Sequence, residues 1–182
     1  MKYLEVLYEQ TILKLKNNER PLIRLTPELI KDLKAEWNKA IDPENVDSVA
    51  LKKILCILDN TQNMTSELNE QFIKTLKKVK DQDLLIYTLA ASQKHVINES
   101  LRTGNMISQE YLEKLKELLK NKNPEVVEWT LRTIETMGPL SLRFMNDVKN
   151  INLGFFKFLN KHNKSSEQII SLMKLQWEKM RS

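Results

Sequence analysis

Helix starts of one kind recur along this chain at nearly equal spacing, and that repetition restricts its folds more than any other feature. Thr26-Pro27-Glu28-Leu29, Thr65-Ser66-Glu67-Leu68 and Ser108-Gln109-Glu110-Tyr111 each offer a hydroxyl to cap a helix, an early glutamate facing the helix dipole, and then a large apolar residue. The capping positions lie 39 and 43 residues apart. From each start the apolar face continues in helical step through Leu33, Phe72 and Leu115, then Trp37, Leu76 and Leu119. One apolar stripe per helix, repeated near the period of about 40 to 47 residues typical of two-helix units, predicts stacked helical hairpins.

A second helix follows each of these, with one extra residue, Asn45, in the first copy. The third copy is the clearest: in Asn123-Pro124-Glu125-Val126-Val127-Glu128-Trp129-Thr130-Leu131-Arg132-Thr133-Ile134-Glu135-Thr136-Met137-Gly138, Asn caps the helix. Pro fits its first turn and Gly its exit. This segment resembles the second helix of a HEAT repeat, with Val126, Thr130, Thr133, Ile134, Met137 and Gly138 in the family's places. Asp42-Pro43-Glu44 with Val46, Ala50, Ile54 and Ile57 matches next, and Asp81 with Leu84, Thr88 and Ala91 more loosely. The resemblance covers roughly residues 26–138. It implies an all-α fold, a short right-handed α-solenoid of HEAT-like hairpins at 26–60, 65–103 and 108–138. The arginine that often follows the valine is replaced by Asp47, Leu85 and Val127, so the buried Asp and Arg ladder of regular HEAT arrays is not implied here.

Outside the repeats, Leu4, Leu7, Tyr8, Thr11, Ile12 and Leu15 form the stripe of an N-terminal capping helix within 1–20, as the open end of a solenoid requires. Residues 139–182 read as an irregular C-terminal helical cap. It comprises a short helix near Leu140 to Val148, an apolar segment Leu153 to Leu159, and a last helix from Ser165 or Ser166 to Met180. Ile169, Leu172, Met173, Gln176, Trp177 and Met180 give that helix a stripe to pack on the third repeat, with Phe144, Phe155, Phe156 and Phe158 filling the junction.

Length suits a single domain, 1–182, and with only three Gly and five Pro the chain lacks the turn residues of a sheet protein. No run approaches the roughly 18 apolar residues of a membrane span, and Met1-Lys2-Tyr3-Leu4-Glu5 lacks a signal-peptide profile, so no membrane insertion and a cytoplasmic location are expected. The lone Cys56 lies in an apolar stretch and reads as core. Net charge is +5, and the excess falls after residue 138, where eight Lys and Arg meet three Asp and Glu.

Few groups have the spacing that chemistry requires. His95 and His162 form no HxxxH or HExxH motif, and Gly104, Gly138 and Gly154 are too dispersed for a phosphate loop, so no metal and no cofactor is expected. No catalytic residue can be assigned, and the chain reads as a binder rather than an enzyme.

The HEAT resemblance implies that second helices line a concave binding surface. Its outward columns hold Val49, Tyr87 and Trp129, then Lys52, Ala90 and Arg132, with Gln93, Lys94 and Glu135 beyond. Lys52, Tyr87, Lys94, Glu128, Trp129 and Arg132 are therefore candidate contacts for a protein partner, since Trp and Arg concentrate binding energy at interfaces. Trp129 has a competing role between neighbouring repeats, with Glu128 and Arg132 then an ordinary i,i+4 pair. The alternative partner is nucleic acid, held by basic clusters at Lys74, Lys77, Lys78 and Lys80 or near the C-terminus, where Lys157, Lys161 and Lys164 are candidate anion-binding residues.

Overall fold

A computed structural model describes residues 2–42, 45–151 and 160–180, and every regular element among them is helical. By its internal contacts the chain groups into two compact units, Met1–Asn105 and Met106–Ser182.

The first unit contains α1 (Lys2–Lys16), α2 (Pro27–Ala40), α3 (Ser48–Asp59), α4 (Asn69–Lys78) and α5 (Gln82–Ser92), which runs through a π-helical turn, Gln93–Asn98, into α6 (Glu99–Thr103). Helix α3 packs against α1, α2 and α5, while α4 packs against α2 and α5. Helices α1, α3 and α5 thus form one layer and α2 and α4 a second. The expected inward columns are buried throughout: Leu33 and Trp37 on α2, Phe72 and Leu76 on α4.

Two helix starts differ from the sequence expectation. Helix α3 begins at Ser48 rather than beside Asp42, because the Asp47 carboxylate accepts the N–H groups of Val49 and Ala50 at 3.1 and 2.9 Å immediately before the apolar run. Pro43 and Glu44 lie outside the described residues. Thr65 caps only a turn: its hydroxyl accepts the Glu67 N–H at 3.2 Å, the Asn69 N–H reaches Ser66 O, and α4 starts four residues later. Thr26 caps α2 as expected, accepting from Leu29 N at 3.3 Å.

Residues 38 positions apart meet repeatedly in this unit. Ile23 and Thr61 form an isolated parallel bridge. Next to it the Asn63 amide behaves as another peptide group, accepting from Leu25 N at 2.7 Å and donating to Leu25 O at 3.0 Å. Further along, the Trp37 indole N–H donates to Thr75 Oγ1 at 2.8 Å. The segments leading into α2 and α4, and the helices themselves, therefore run side by side in one direction.

The π-helical turn is defined by the Glu99 N–H reaching the Lys94 carbonyl, five residues back. It turns His95 into the core, where the ring stacks on Phe72 at 6.1 Å; Phe72 in turn meets Trp37 edge-on at 4.8 Å. Burial lowers the His95 pKa to about 4, so the ring is neutral. Its Nδ1 accepts the Thr65 N–H at 3.3 Å, which makes Nε2, 3.0 Å from Leu58 O, the donor. Buried threonines solve the same problem locally: Thr75 and Thr88 donate to carbonyls four residues back on their own helices.

The second unit contains α7 (Gln109–Leu118), α8 (Pro124–Glu135), a 3₁₀ segment (Gly138–Phe144), α9 (Met145–Lys149) and α10 (Lys161–Lys179). Asn123 caps α8 through Glu125 N and Val126 N, and Val126, Thr130, Leu131, Thr133, Ile134 and Met137 all face inward. Gly138, at φ +57°, supplies the left-handed residue on which the chain leaves this helix.

Helix α10 packs against α8, and it begins earlier than the expected Ser165 or Ser166. Asn160 caps it through His162 N at 2.8 Å and Asn163 N at 3.4 Å, ahead of a polar first turn that gives no periodic signal. Ile169, Met173 and Trp177 are buried as expected, whereas Leu172, Gln176 and Met180 face solvent and Ser166 and Ile170 complete the inward stripe. The Trp177 indole N–H donates to Ser141 Oγ at 2.8 Å, and Ser141 donates to Gly138 O at 2.6 Å, tying α10 to the 3₁₀ segment. That segment and α9 replace the single short helix expected near Leu140 to Val148. Leu153 to Leu159, with Phe155, Phe156 and Phe158, lie outside the described residues.

Candidate functional site

The outward stripe of α3 carries Val49, Lys52, Cys56 and Asp59, and that of α5 carries Asp83, Tyr87 and Ala90, with Lys94 one turn beyond. Lys52 pairs with Asp83 across the two helices at 3.4 Å. Val49 is 63% exposed and Tyr87 49% exposed, so two large apolar side chains stand in solvent on either side of that pair.

Lys94 departs from its expected place as a presented contact. It is half-buried, and its ammonium donates to the Thr61 carbonyl, strapping the π-helical turn to the end of α3. Burial lowers its pKa, while nearby Asp59 opposes that shift. Desolvation raises the Asp59 carboxyl in turn, although this residue keeps an exposed outer edge. Cys56 is half-buried; burial first, and then the charge of Asp59, push its thiol upward, away from the reactive thiolate.

In the second unit, Glu128 is the hub of a polar cluster. Its carboxylate is buried, and Oε1 accepts from Arg132 Nε at 3.0 Å and Nη2 at 2.6 Å. Oε2 lies 2.7 Å from His162 Nδ1 on the first turn of α10. A carboxylate oxygen only accepts, so Nδ1 bears the proton. His162 Nε2 lies 3.6 Å from Glu125 Oε2. The Arg132 guanidinium also sits over the Trp129 ring at 6.0 Å.

Glu128 and Arg132 are therefore more than a solvated i,i+4 pair: they are the α8 half of the contact with α10. Trp129 is half-buried beside them. Sequence spacing did not reveal His162, 34 residues beyond Glu128, because only the packing of α10 joins them. The two carboxylates address opposite nitrogens of one ring, so their donors diverge. Among the described residues no group of three or more His, Cys, Asp or Glu side chains could hold a metal ion.

Of the candidate anion-binding lysines, Lys161 and Lys164 are exposed on the first turn of α10, and Lys157 lies outside the described residues. In the first unit the α4 cluster is partly engaged: Lys74 pairs with Glu70, and Lys78 donates to Ile41 O at 3.0 Å. No described helix is long and apolar enough to cross a membrane.

No protein-family model, curated protein or solved structure matches this chain. Its function is accordingly read from the geometry above.

Proposed function

We propose that this chain is a non-catalytic, HEAT-like protein-interaction module that meets its partner through the outward face of α3 and α5. The observation that carries this reading is the constant offset of 38 residues at which Ile23 meets Thr61, Leu25 meets Asn63 and Trp37 meets Thr75. A constant offset with parallel direction is what stacking of successive hairpins produces, and stacking leaves second helices side by side as a surface. On that surface Val49 and Tyr87 are exposed, and the Lys52–Asp83 pair between them gives a polar element within an apolar contact.

The test is affinity capture with the intact chain beside a Val49→Ser/Tyr87→Ala double variant and a Trp129→Ala variant. Recovery of a defined protein that is lost with the double variant supports the reading. Equal recovery by all three chains sinks it.

A nucleic-acid reading rests on a narrower base. Residues 106–182 hold 13 Lys and Arg against nine Asp and Glu, and Lys161 and Lys164 are exposed at the start of α10. Titration of labelled duplex and single-stranded DNA and RNA across a salt series distinguishes it, because phosphate neutralisation makes affinity fall steeply with salt. A Lys161→Ala/Lys164→Ala variant locates any such binding.

A further inference from the structure

The second unit contains a cleft of about 560 Å³ where the end of α7, the α7–α8 turn, α9 and the first turn of α10 converge. That volume falls within the range of about 300 to 1,000 Å³ of sites that take small molecules. Its walls have three chemical parts. Leu119, Pro124, Val127 and Ile151 give an apolar side, Lys116, Lys120 and Lys122 a cationic side, and Asn121, Asn150, Asn163 and Asp147 a hydrogen-bonding side.

The cations are not equivalent. Lys116 is held by Glu113 at 2.9 Å, whereas Lys120 and Lys122 are exposed and have no ion-pair partner among the described residues. Asn121 lies between them, and its Oδ1 accepts the Asn123 N–H at 2.8 Å, which leaves its amide N–H groups as donors. Two ammonium groups and an amide donor contributed by consecutive residues form an anion-binding edge. Asp147, the acidic residue of the lining, accepts hydrogen bonds from hydroxyls and repels a second anionic group on its own side.

We propose that this cleft binds a small phosphate ester of a hydroxylated ring, the chemistry shared by nucleotides and sugar phosphates, with the phosphate at Lys120, Asn121 and Lys122 and a ring hydroxyl at Asp147. The proposal concerns the second unit alone and is independent of the protein-partner face on α3 and α5.

The experiment is calorimetric titration of the intact chain at low salt with AMP, glucose 6-phosphate and inorganic pyrophosphate, repeated with Lys120→Ala/Lys122→Ala, Asp147→Asn and Lys161→Ala/Lys164→Ala variants. Circular dichroism and melting confirm that each is folded, as the exposure of Lys120 and Lys122 leads one to expect. The expected result is saturable binding of at least one ester. Affinity falls about tenfold or more in the Lys120/Lys122 variant, since two charge-assisted hydrogen bonds to the phosphate are lost. Asp147→Asn should weaken the ester but not pyrophosphate, and Lys161→Ala/Lys164→Ala should leave both unchanged. AMP binding with glucose 6-phosphate excluded identifies the nucleotide source, and the converse identifies the sugar. Absence of saturable binding, equal binding by the Lys120/Lys122 variant, or loss only with Lys161 and Lys164 overturns the proposal.

Discussion

The Thr75 hydroxyl accepts the indole N–H of Trp37 at 2.8 Å while donating to Gln71 O at 2.8 Å, so one side chain satisfies its own helix and the neighbouring one. Both Trp37 and Thr75 are fully buried. Thr75→Val keeps the shape and strands the indole donor, and should destabilise the chain by about 1 to 3 kcal/mol in urea unfolding. Thr75→Ser retains the acceptor and should cost about 1 kcal/mol or less. Equal losses for the two would mean that packing, and not the hydrogen bond, joins α2 to α4.

His95 gives stability an acid-side dependence. Its folded pKa is about 4 against an ordinary 6.5, because burial disfavours the charged ring. Between those values the unfolded chain binds a proton that the folded chain refuses. Its contribution is therefore complete above about pH 6.5, declines as pH falls and levels off near pH 4. The full swing is on the order of 3 kcal/mol. His95→Gln retains one donor and one acceptor for Leu58 O and Thr65 N but does not titrate. Chemical denaturation from pH 7 to 4 should show a smaller decline for this variant than for the parent.

Glu128→Ala removes the acceptor that α8 offers to α10. Arg132 is half-exposed and turns to water, which moderates the loss, while His162 loses its 2.7 Å partner. A destabilisation of about 2 kcal/mol is expected, below that of a fully buried broken pair. Hydrogen exchange should localise it: faster exchange in the first turns of α10, with α2 to α5 unchanged. Uniform acceleration across the chain would contradict a local contact.

Cys56 should react slowly with iodoacetamide at neutral pH in the folded chain and faster in urea, since burial and the nearby Asp59 charge both raise its thiol pKa. Fast labelling of the folded chain would mean that the α3 surface opens on the timescale of the reaction.

Much of the helical framework was legible because its signals are local. The inward columns headed by Leu33, Phe72 and Leu115 needed only periodicity, and Asn123-Pro124 fixed the start of α8 through capping alone. Where two cappers competed, Asp42 and Asp47, spacing chose the wrong one, because the nearer carboxylate reached the helix N–H groups. The Asn160 cap was illegible for a related reason: the Lys161-His162-Asn163-Lys164 turn that it caps has no apolar residue to announce a helix.

The polar details were legible only in part. Tyr87 and Val49 are exposed as their columns implied, whereas Lys94 shares their helical surface yet bends inward to a carbonyl that no periodicity reveals. The meeting of Glu128 with His162 depends on which face of α10 turns inward. Three apolar positions indicated that face, but they did not indicate the extra polar turn that brings the imidazole into reach.

The π-helical turn has a consequence for how this chain can change in length. A five-residue backbone step accommodates one residue more than a regular ladder, and each residue rotates the downstream helix by about 100°. Because the turn absorbs that extra residue, removing one would restore ordinary helix and keep Glu99 and Ser100 on their buried face, whereas inserting one more would swing them away from the core. The segment before α2 is constrained as well, since Pro21, Ile23 and Leu25 are buried in alternation and Ile23 and Leu25 pair with Thr61 and Asn63. Within 93–98, therefore, the loss of one residue is the length change that the helix absorbs, and a further gain is the one that it does not.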